Sequence, residues 1–495
     1  MLFNSADFLI FFPIVTLMYF IIPAKAKNYW LLIASYFFYM CWNPKYIILL
    51  FTSTVITFIS GLAIEFISGK EYDFKKEKTY KNLVVAASFT LNLGLLFYFK
   101  YINFALDIMS HILGAVGIHM TVPAFDIILP VGISFYTFQA LSYTMDVYRG
   151  EIYAEKNFFR YALFVSFFPQ LVAGPIERSK NLLKQLAVPK AYDYDNVRTG
   201  LLTMLWGYFI KLVIADRMAI IVDNVYADLE NYHGMVLVVA SLAFTIQIYC
   251  DFMGYSIIAK GAAKVLGMEL MENFHMPYFA DSIKDFWRRW HISLSSWLRD
   301  YLYIPLGGNR KGTARKYFNL LLTFFVSGLW HGANITFVVW GLFHGIIQVI
   351  EDIFRKVFGN VSEQITNKNL ALLWKGINIV KTFIIANIGW VFFRSETIGQ
   401  ALWVLKNSLK LDNVKSFITG GGIYALGVNK VGLVVMITAF ILLFVCSLIK
   451  EKKIAPIEWI SSKNFIIRYA IYWTIVTLIV FSLDLNGQEF IYFQF

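Results

Sequence analysis

The sequence predicts an all-α, polytopic membrane protein, and three observations support this fold class. Of the 495 residues, 58% are hydrophobic and only 15% are charged, whereas soluble domains carry about 25% charged residues. The mean hydropathy is +0.60. Many apolar runs reach the roughly 20 residues that an α-helix needs to cross a bilayer. We therefore expect a single membrane domain over residues 1–495, with roughly eleven to thirteen transmembrane or re-entrant helices.

The predicted membrane segments follow the apolar runs along the chain. They are 7–22, 29–42, 46–68, 82–98, 104–117, 127–147, 158–176, 201–222, 235–252, 335–353, 373–393, 431–449 and 466–483. The segment 158–176 holds Pro169, Gly174 and Pro175, which cannot all sit in one regular helix. Such a broken segment must be shielded by protein or line a wet cavity. Pro130 and Gly132 predict another break, early in 127–147.

Lysine-rich loops predict the orientation of the chain. The Lys25 loop and the Lys70 to Lys81 loop are separated by two segments and so lie on one side, and the Lys450 loop is again lysine-rich. The positive-inside rule places these loops in the cytoplasm. Both termini are then expected on the extracytoplasmic side of the membrane. The net charge of +12 fits these loops and anionic lipids, so we expect no nucleic-acid partner. The cysteines are scattered and show no metal spacing.

Residues 281–345 are the predicted catalytic core, because ionisable groups concentrate there in an otherwise apolar chain. Read as one helix, 285–303 carries a polar stripe at positions i, i+3, i+7 and i+11 and a separate aromatic face. The stripe consists of Arg288, His291, Ser295 and Arg299. Such a helix lines a wet cavity or lies at the membrane surface. The following Gly307–Gly308 turn with Arg310 is either a phosphate site or a plain turn.

His331 stands alone in the apolar run 319–345, between Trp330 and Gly332. A neutral imidazole there can take a proton from a hydroxyl nucleophile. The alternative is a core histidine that donates to a backbone carbonyl. His344 lies thirteen positions further (344 minus 331), about 220° around one continuous helix. It is therefore assigned to packing, and no metal site is implied.

Five motifs stand out along the chain: LPVGISFYTFQALSYTMDVYRG, FFPQLVAGPIER, IYCDFMGYSIIAKG, DFWRRWHISLSSWLRDYLYIPLGGNR and LWHGANITFVVWGLFHG. They resemble bacterial membrane-bound O-acyltransferases, above all the subgroup that O-acetylates alginate, peptidoglycan and cellulose. The resemblance extends from Leu2 to about Ile350 and is weaker afterwards.

The resemblance implies a ring of helices around a central tunnel that is open to both sides. His331 in the WHG motif matches the family's essential histidine and would act as base. His291 matches the second polar position and would orient the donor or stabilise developing charge. An acyl thioester such as acetyl-coenzyme A would enter from the cytoplasm, with no cofactor bound permanently. On charge alone, the candidates for binding the phosphates of the donor are Arg288, Arg289, Arg299 and Arg310. The alternative is that these arginines only anchor a helix at the membrane interface.

The C-terminal tail, residues 484–495, is predicted to be extracytoplasmic. It ends in F-x-Y-F-x-F, which resembles a motif of bacterial members of this superfamily whose tyrosine is proposed to carry the acyl group. Tyr492 is then the candidate hydroxyl. It would pass the acyl group to an extracytoplasmic SGNH-type, esterase-like acetyltransferase. The alternative is a simple aromatic belt at the membrane interface.

Together these observations predict transfer of an acyl group, most simply acetyl, toward an exported cell-surface polysaccharide. D-alanyl transfer to teichoic acids by the same fold is one alternative. A transporter is another alternative. Repeated halves with paired broken helices would favour a transporter, and no such pairs are evident in the sequence. A lipid- or protein-directed acyltransferase is the third.

Overall fold

All regular structure that is described in the computed structural model is helical. The described residues are 1–118, 129–172, 174–359, 365–451, 456–482 and 490–491. No strand occurs within these ranges, which confirms the all-α class. Residue contacts divide the chain into two compact units. One consists of Met1–Leu201 with Ala259–Met271, and the other of Leu202–Ile258 with Glu272–Phe495.

The first unit is built from helices of very unequal length. They are α1 (Ala6–Ile21), α2 (Lys27–Met40), α3 (Ile47–Ser68), α4 (Phe74–Ala115), α5 (Ile133–Tyr148), α6 (Phe158–Ser166), α7 (Phe168–Leu171) and α8 (Ser179–Leu186). Helix α3 packs against α4 and α5, and α2 packs against α6. Almost every side chain of α5 is buried, so α5 lies at the centre of this unit.

Helix α4 corrects the predicted pair of segments 82–98 and 104–117. It is one helix of 42 residues that also takes up the lysine-rich stretch before it. Lysine and glutamate are good helix formers, and Lys81 pairs with Glu77 one turn away. At 1.5 Å per residue the helix is about 63 Å long, roughly twice the hydrocarbon thickness. The charged end therefore extends the span instead of forming a loop.

The predicted break in 158–176 is confirmed. Helix α6 ends at Ser166, the single turn α7 follows, and the chain then runs without regular structure to Arg178 on either side of residue 173. The break frees the carbonyl oxygen of Phe164, which accepts hydrogen bonds from the side-chain amides of Gln139 (2.6 Å) and Gln170 (2.9 Å). Neighbouring side chains thus replace the lost helical bonds, as an apolar environment requires.

The second unit begins within α9 (Tyr194–Tyr208), which crosses from the first unit. It continues through a π-helical segment (Phe209–Ala215), α10 (Asp216–Ala227), α11 (Met235–Val265), α12 (Ile283–Arg289), α13 (Ile292–Leu298), α14 (Thr313–His331) and α15 (Ile335–Phe358). The remaining helices are α16 (Lys368–Arg394), α17 (Ile398–Ser408), α18 (Val414–Thr419), α19 (Gly422–Ala425), α20 (Lys430–Glu451), α21 (Pro456–Ser461) and α22 (Phe465–Ser482). Most of α11 belongs to this unit, and its last residues belong to the first.

Seven of the described helices are long and apolar enough to cross a membrane, so the protein is multi-pass. The seven ranges are Pro44–Ser68, Phe74–Ala115, Met235–Val265, Ile335–Phe358, Lys368–Arg394, Lys430–Glu451 and Phe465–Ser482. Other predicted segments correspond to shorter or broken helices, such as α1 with 16 residues.

Candidate active site

His291 lies at a sharp break in the chain, and this corrects the prediction of one helix over 285–303. Helix α12 ends at Arg289, α13 begins at Ile292, and a π-helical segment follows from Arg299 to Tyr303. His291 itself is left-handed, with φ 43°. A non-glycine residue in this conformation is uncommon and marks a position that the surrounding structure holds in place.

The break is held by the chain segment just before α12. The N–H of His275 donates to the carbonyl of Arg289, and the N–H of Ile292 donates to the carbonyl of Asn273, both at 2.9 Å. These two bonds take over where helical bonds stop. The polar stripe predicted from helical spacing therefore does not exist as one face, and His291 points inward, fully buried.

Asn273 also determines which nitrogen of His291 carries the proton. Its side-chain oxygen accepts from the backbone N–H of Ser293 (3.3 Å) and the Ser293 hydroxyl (2.9 Å), while its amide donates to Ser256 (3.1 Å). Because a backbone N–H can only donate, the atom facing it must be the oxygen. His291 Nδ1, 3.1 Å from the same oxygen, therefore donates to it. Burial lowers the pKa of His291 to about 3, so the ring is neutral and Nε2 is its acceptor nitrogen.

His331 is the last residue of α14, which ends where Gly332 leaves the helix in an extended conformation. The prediction that 319–345 is one helix is therefore wrong. Helices α14 and α15 instead lie against each other through glycines. A Cβ added at Gly328 would lie 2.3 Å from the carbonyl oxygen of Phe337, and one at Gly332 only 2.2 Å from the Phe337 ring. The WHG glycine is needed for this contact.

The fold brings the two histidines together although they are forty positions apart (331 minus 291). Their ring centres are 6.4 Å apart. His331 lies edge-on to Trp330, Trp340 and Phe393, with centre distances of 5.0, 4.9 and 5.3 Å. Trp330 also contacts His291, at 5.6 Å. The result is a buried pair of imidazoles in a mostly aromatic enclosure, which excludes bulk water from any proton transfer there.

His344 is buried as predicted, but it is closer to the site than a continuous helix would allow. It contacts the same Trp340 ring as His331, at 5.4 Å. It also stacks on Phe286 and meets Trp287 edge-on. Neither ring nitrogen of His344 has a hydrogen-bond partner among the described residues.

The four predicted arginines have different environments. Arg289 pairs with Asp285 (2.8 Å) and Glu451 (3.3 Å), and the exposed Arg299 pairs with its neighbour Asp300 (2.8 Å). Arg288 and Arg310 are exposed. The turn before Arg310 uses its own N–H groups: those of Gly307, Gly308 and Arg310 donate to carbonyls of residues 303–307. This favours the plain turn over a backbone phosphate site.

Sequence reasoning missed a basic patch beside Arg288. Lys284 has Arg288, Lys316, Arg355 and Asp352 as charged neighbours, and Lys316 Nζ lies 2.7 Å from Asp352. Burial and the three neighbouring cations lower the pKa of Lys284. Spacing along the sequence does not reveal this patch, because its members lie on three different helices.

A second missed feature is a buried ion pair outside the histidine site, between Lys211 and Asp251 at 2.8 Å. Here a signal was present in the sequence. Asp251 is a lone ionisable group within the apolar segment 235–252, and Lys211 interrupts the segment 201–222, which also holds Asp216 and Arg217.

Tyr492 lies outside the described residues, as does most of the tail 484–495. The two residues before it are described and are buried. Phe490 contacts Tyr255 (4.3 Å) and Phe252 (5.9 Å), and Phe252 in turn meets the His291 ring at 4.7 Å. Among the described residues, no group of three or more His, Cys, Asp or Glu side chains has the geometry of a metal site.

Fold and site together define an integral membrane protein whose buried imidazole pair suits acid–base catalysis. The sequence profile described as MBOAT, membrane-bound O-acyltransferase family, matches residues 152–388. The chain is also 40% identical over 404 residues to the probable alginate O-acetylase AlgI of Pseudomonas aeruginosa, covering 81% of this chain and 74% of that one. It therefore belongs to the membrane-bound O-acyltransferase family, and it is an O-acyltransferase.

Two further relatives show how the similarity is distributed. The peptidoglycan O-acetyltransferase of Helicobacter pylori is 36% identical over 446 residues, or 84% of this chain and 81% of that one. The teichoic acid D-alanyltransferase of Bacillus subtilis is 30% identical over 254 residues, only 47% of this chain and 62% of that one.

Proposed function

We propose that the protein transfers acetyl groups from a cytoplasmic thioester across the membrane for O-acetylation of an exported polysaccharide. The observation that carries this proposal is the buried pair His331 and His291, in a chain whose long matches are to alginate and peptidoglycan O-acetyltransferases. The match to a D-alanyltransferase covers about half of the chain, so acetyl is favoured over D-alanyl. No transporter is among the three relatives described above.

His331 is the general base in this proposal. A hydroxyl oxygen that enters between the rings is within reach of both, because their centres are 6.4 Å apart. His331 takes the proton as the oxygen attacks the thioester carbonyl. The C–S bond then breaks, and the leaving thiolate takes the proton back from His331. Because a hydroxyl has only one proton, His291 accepts it in a hydrogen bond through Nε2 before the attack and so orients the hydroxyl, and His331 takes this same proton in the transfer step. This role suits its tautomer better than stabilising an oxyanion, which needs a donor.

The thioester donor is proposed to arrive on the side of the Lys450 loop. Glu272 bonds to Lys450, and Arg289 bonds to Glu451, so the start of the His291 segment lies at that loop. The loop is lysine-rich and thus expected in the cytoplasm of a bacterial inner membrane, with both termini outside. The basic patch of Lys284, Arg288, Lys316 and Arg355 offers charge for the phosphates of a donor such as acetyl-coenzyme A.

The acceptor is proposed to be the chain's own Tyr492, which then passes acetyl to an extracytoplasmic SGNH-type partner. A phenol has a pKa of about 10, so it needs a base such as His331 to become a nucleophile. Support comes from the residue that precedes it: Ile491 is buried, and its neighbour Phe490 is separated from His291 by the single ring of Phe252.

The test uses the purified protein in vesicles with acetyl-labelled coenzyme A and a matched Tyr492→Phe variant, which loses only the hydroxyl. We expect label on the wild-type chain, and none on Tyr492→Phe or His331→Ala. Label on Tyr492→Phe at the wild-type rate would exclude the relay. D-alanyl transfer would be supported instead if acetyl-coenzyme A labels neither protein and a D-alanyl thioester does.

A further inference from the structure

The buried ion pair of Lys211 and Asp251 belongs to a small cluster that the acyl-transfer chemistry does not use. Lys211 Nζ lies 2.7 Å from Asp216 and 2.8 Å from Asp251. Lys211 is 1% exposed and Asp251 2% exposed. Burying charges is costly even when they are paired, so such a cluster needs a reason to be kept.

Local backbone geometry brings the cluster together. Lys211 lies in the π-helical segment that follows α9, and Asp251 lies near the middle of α11. A Cβ at Gly207 would come 2.9 Å from the carbonyl oxygen of Gly254, so the two helices touch through glycines. π-Helical turns inside α-helices occur frequently at functional sites.

The two carboxylate oxygens of Asp251 have different partners. Oδ1 faces Lys211, whereas Oδ2 accepts a hydrogen bond from the backbone N–H of Ile491 at 2.7 Å. Phe490 packs on Tyr255, one helical turn along α11 from Asp251. Both Phe490 and Ile491 are essentially inaccessible to solvent. Residues 490–491, called the C-terminal segment below, are therefore bound to α11 through the backbone of Ile491 and the aromatic side chain of Phe490.

We propose that the Lys211–Asp251 pair is a receptor for the C-terminal segment, with Asp251 as the positioning residue that seats Ile491. Lys211 orients the carboxylate, and the second oxygen binds the segment through its backbone. A hydrogen bond to an ionised carboxylate is stronger than a neutral one. A purely structural pair between two helices would have no need to direct one oxygen at residue 491.

The binding of residues 490–491 by this receptor has a consequence for the acyl-transfer reaction. Asp251 and Phe252 are adjacent on α11, and Phe252 contacts both Phe490 and His291. The receptor therefore keeps the C-terminal segment one aromatic ring from the histidine pair. A role of this placement in the Tyr492 relay rests on the proposed function; the seating of residues 490–491 itself does not.

The test measures the accessibility of residue 491 by thiol labelling. Ile491→Cys is made in a chain whose three cysteines are replaced by alanine, and its labelling rate in detergent is compared with that of the unfolded protein. We expect slow labelling in this parent chain. Adding Asp251→Leu is expected to accelerate labelling roughly tenfold or more, because a buried bond to a charged group is lost.

Two matched variants separate seating from folding. Asp216→Asn removes the other carboxylate on Lys211 but leaves the bond to Ile491, so the labelling rate should change less than about twofold. Asp251→Asn keeps an oxygen for the N–H and should restore most of the protection. The proposal is overturned if the thiol at position 491 labels at the unfolded rate in the parent, or if Asp216→Asn exposes it as much as Asp251→Leu. Because the readout needs no acyl donor, loss of acetylation in Tyr492→Phe or His331→Ala does not affect it.

Discussion

The two histidines of the site have different neighbours among the described residues. His291 is held by polar atoms: Asn273 accepts its Nδ1 proton, and Ser293 and Ser256 hold Asn273. His331 is surrounded by the rings of Trp330, Trp340 and Phe393. One imidazole thus has a determined tautomer, and the other is enclosed by aromatic rings.

The difference indicates a division of labour. His291 stands beside a neutral amide and burial lowers its pKa to about 3, so it is a weak base and suits orienting a substrate hydroxyl. His331 is the histidine of the WHG motif and lies against three aromatic rings. This contrast supports the proposed assignment of proton transfer to His331 and of orientation to His291.

The largest effect is expected at His331. His331→Ala should lower acyl transfer by roughly 10²–10⁴-fold, the usual contribution of a general base. The matched control is His344→Gln, which alters the other histidine on Trp340. Transfer assays on detergent-purified proteins with equal melting temperatures decide the matter. Equal loss in both variants would mean that disturbed packing, not lost base chemistry, is responsible.

The hydrogen bond that holds the His291 ring is tested by substituting Asn273. Asn273→Ala releases His291 Nδ1, and a misplaced ring costs on the order of 10–100-fold in rate. His291→Ala should cost a similar amount, less than His331→Ala.

The pH dependence gives a sharper form of this test. With its pKa at about 3, His291 stays neutral across the physiological range. Asn273→Asp places a carboxylate beside the ring and raises that pKa. Since the protonated ring has no acceptor nitrogen, transfer by Asn273→Asp should begin to fall at a higher pH than transfer by the wild type. Superimposable acidic limbs in the two pH–rate profiles would contradict the role of Nε2.

The packing of α14 against α15, which places His331, is tested at Gly328. A Cβ there would lie 2.3 Å from a backbone oxygen of α15, so Gly328→Ala forces α14 and α15 apart. The expected loss of stability is about 1–3 kcal/mol, measured as a lower melting temperature. Gly376→Ala is the control, because nothing lies within 4 Å of its added Cβ. If both variants melt alike, the glycine contact does not position His331.

The smallest expected effect is a difference in KM between variants of Arg288 and Arg299. Arg288→Gln should raise the KM for the thioester roughly two- to fivefold, in line with the loss of one exposed charge from the basic patch. Arg299→Gln should leave KM unchanged, because Arg299 pairs with Asp300 at the surface. An equal response to both changes would show that net charge alone matters.

Several features could be read from the sequence because they depend on local pattern. The break at Pro169 and Gly174 follows from the geometry of those residues. Other features could not. Helical spacing could not predict the turn at His291, because that turn depends on backbone hydrogen bonds with Asn273 and His275. The 42-residue α4 was predicted as a lysine-rich loop followed by two shorter segments, because lysine is compatible both with a helix and with an exposed loop.

Local patterns in the sequence predict the all-α membrane class and the family and single out the two histidines as candidates, because apolar runs and long motifs are local properties of the chain. The packed structure was needed to show that His291 and His331 lie 6.4 Å apart, which nitrogen of His291 carries the proton, and that Asp251 binds Ile491. These facts join residues 18 to 240 positions apart. Contacts over such separations arise from packing of whole helices, which no spacing in the sequence encodes.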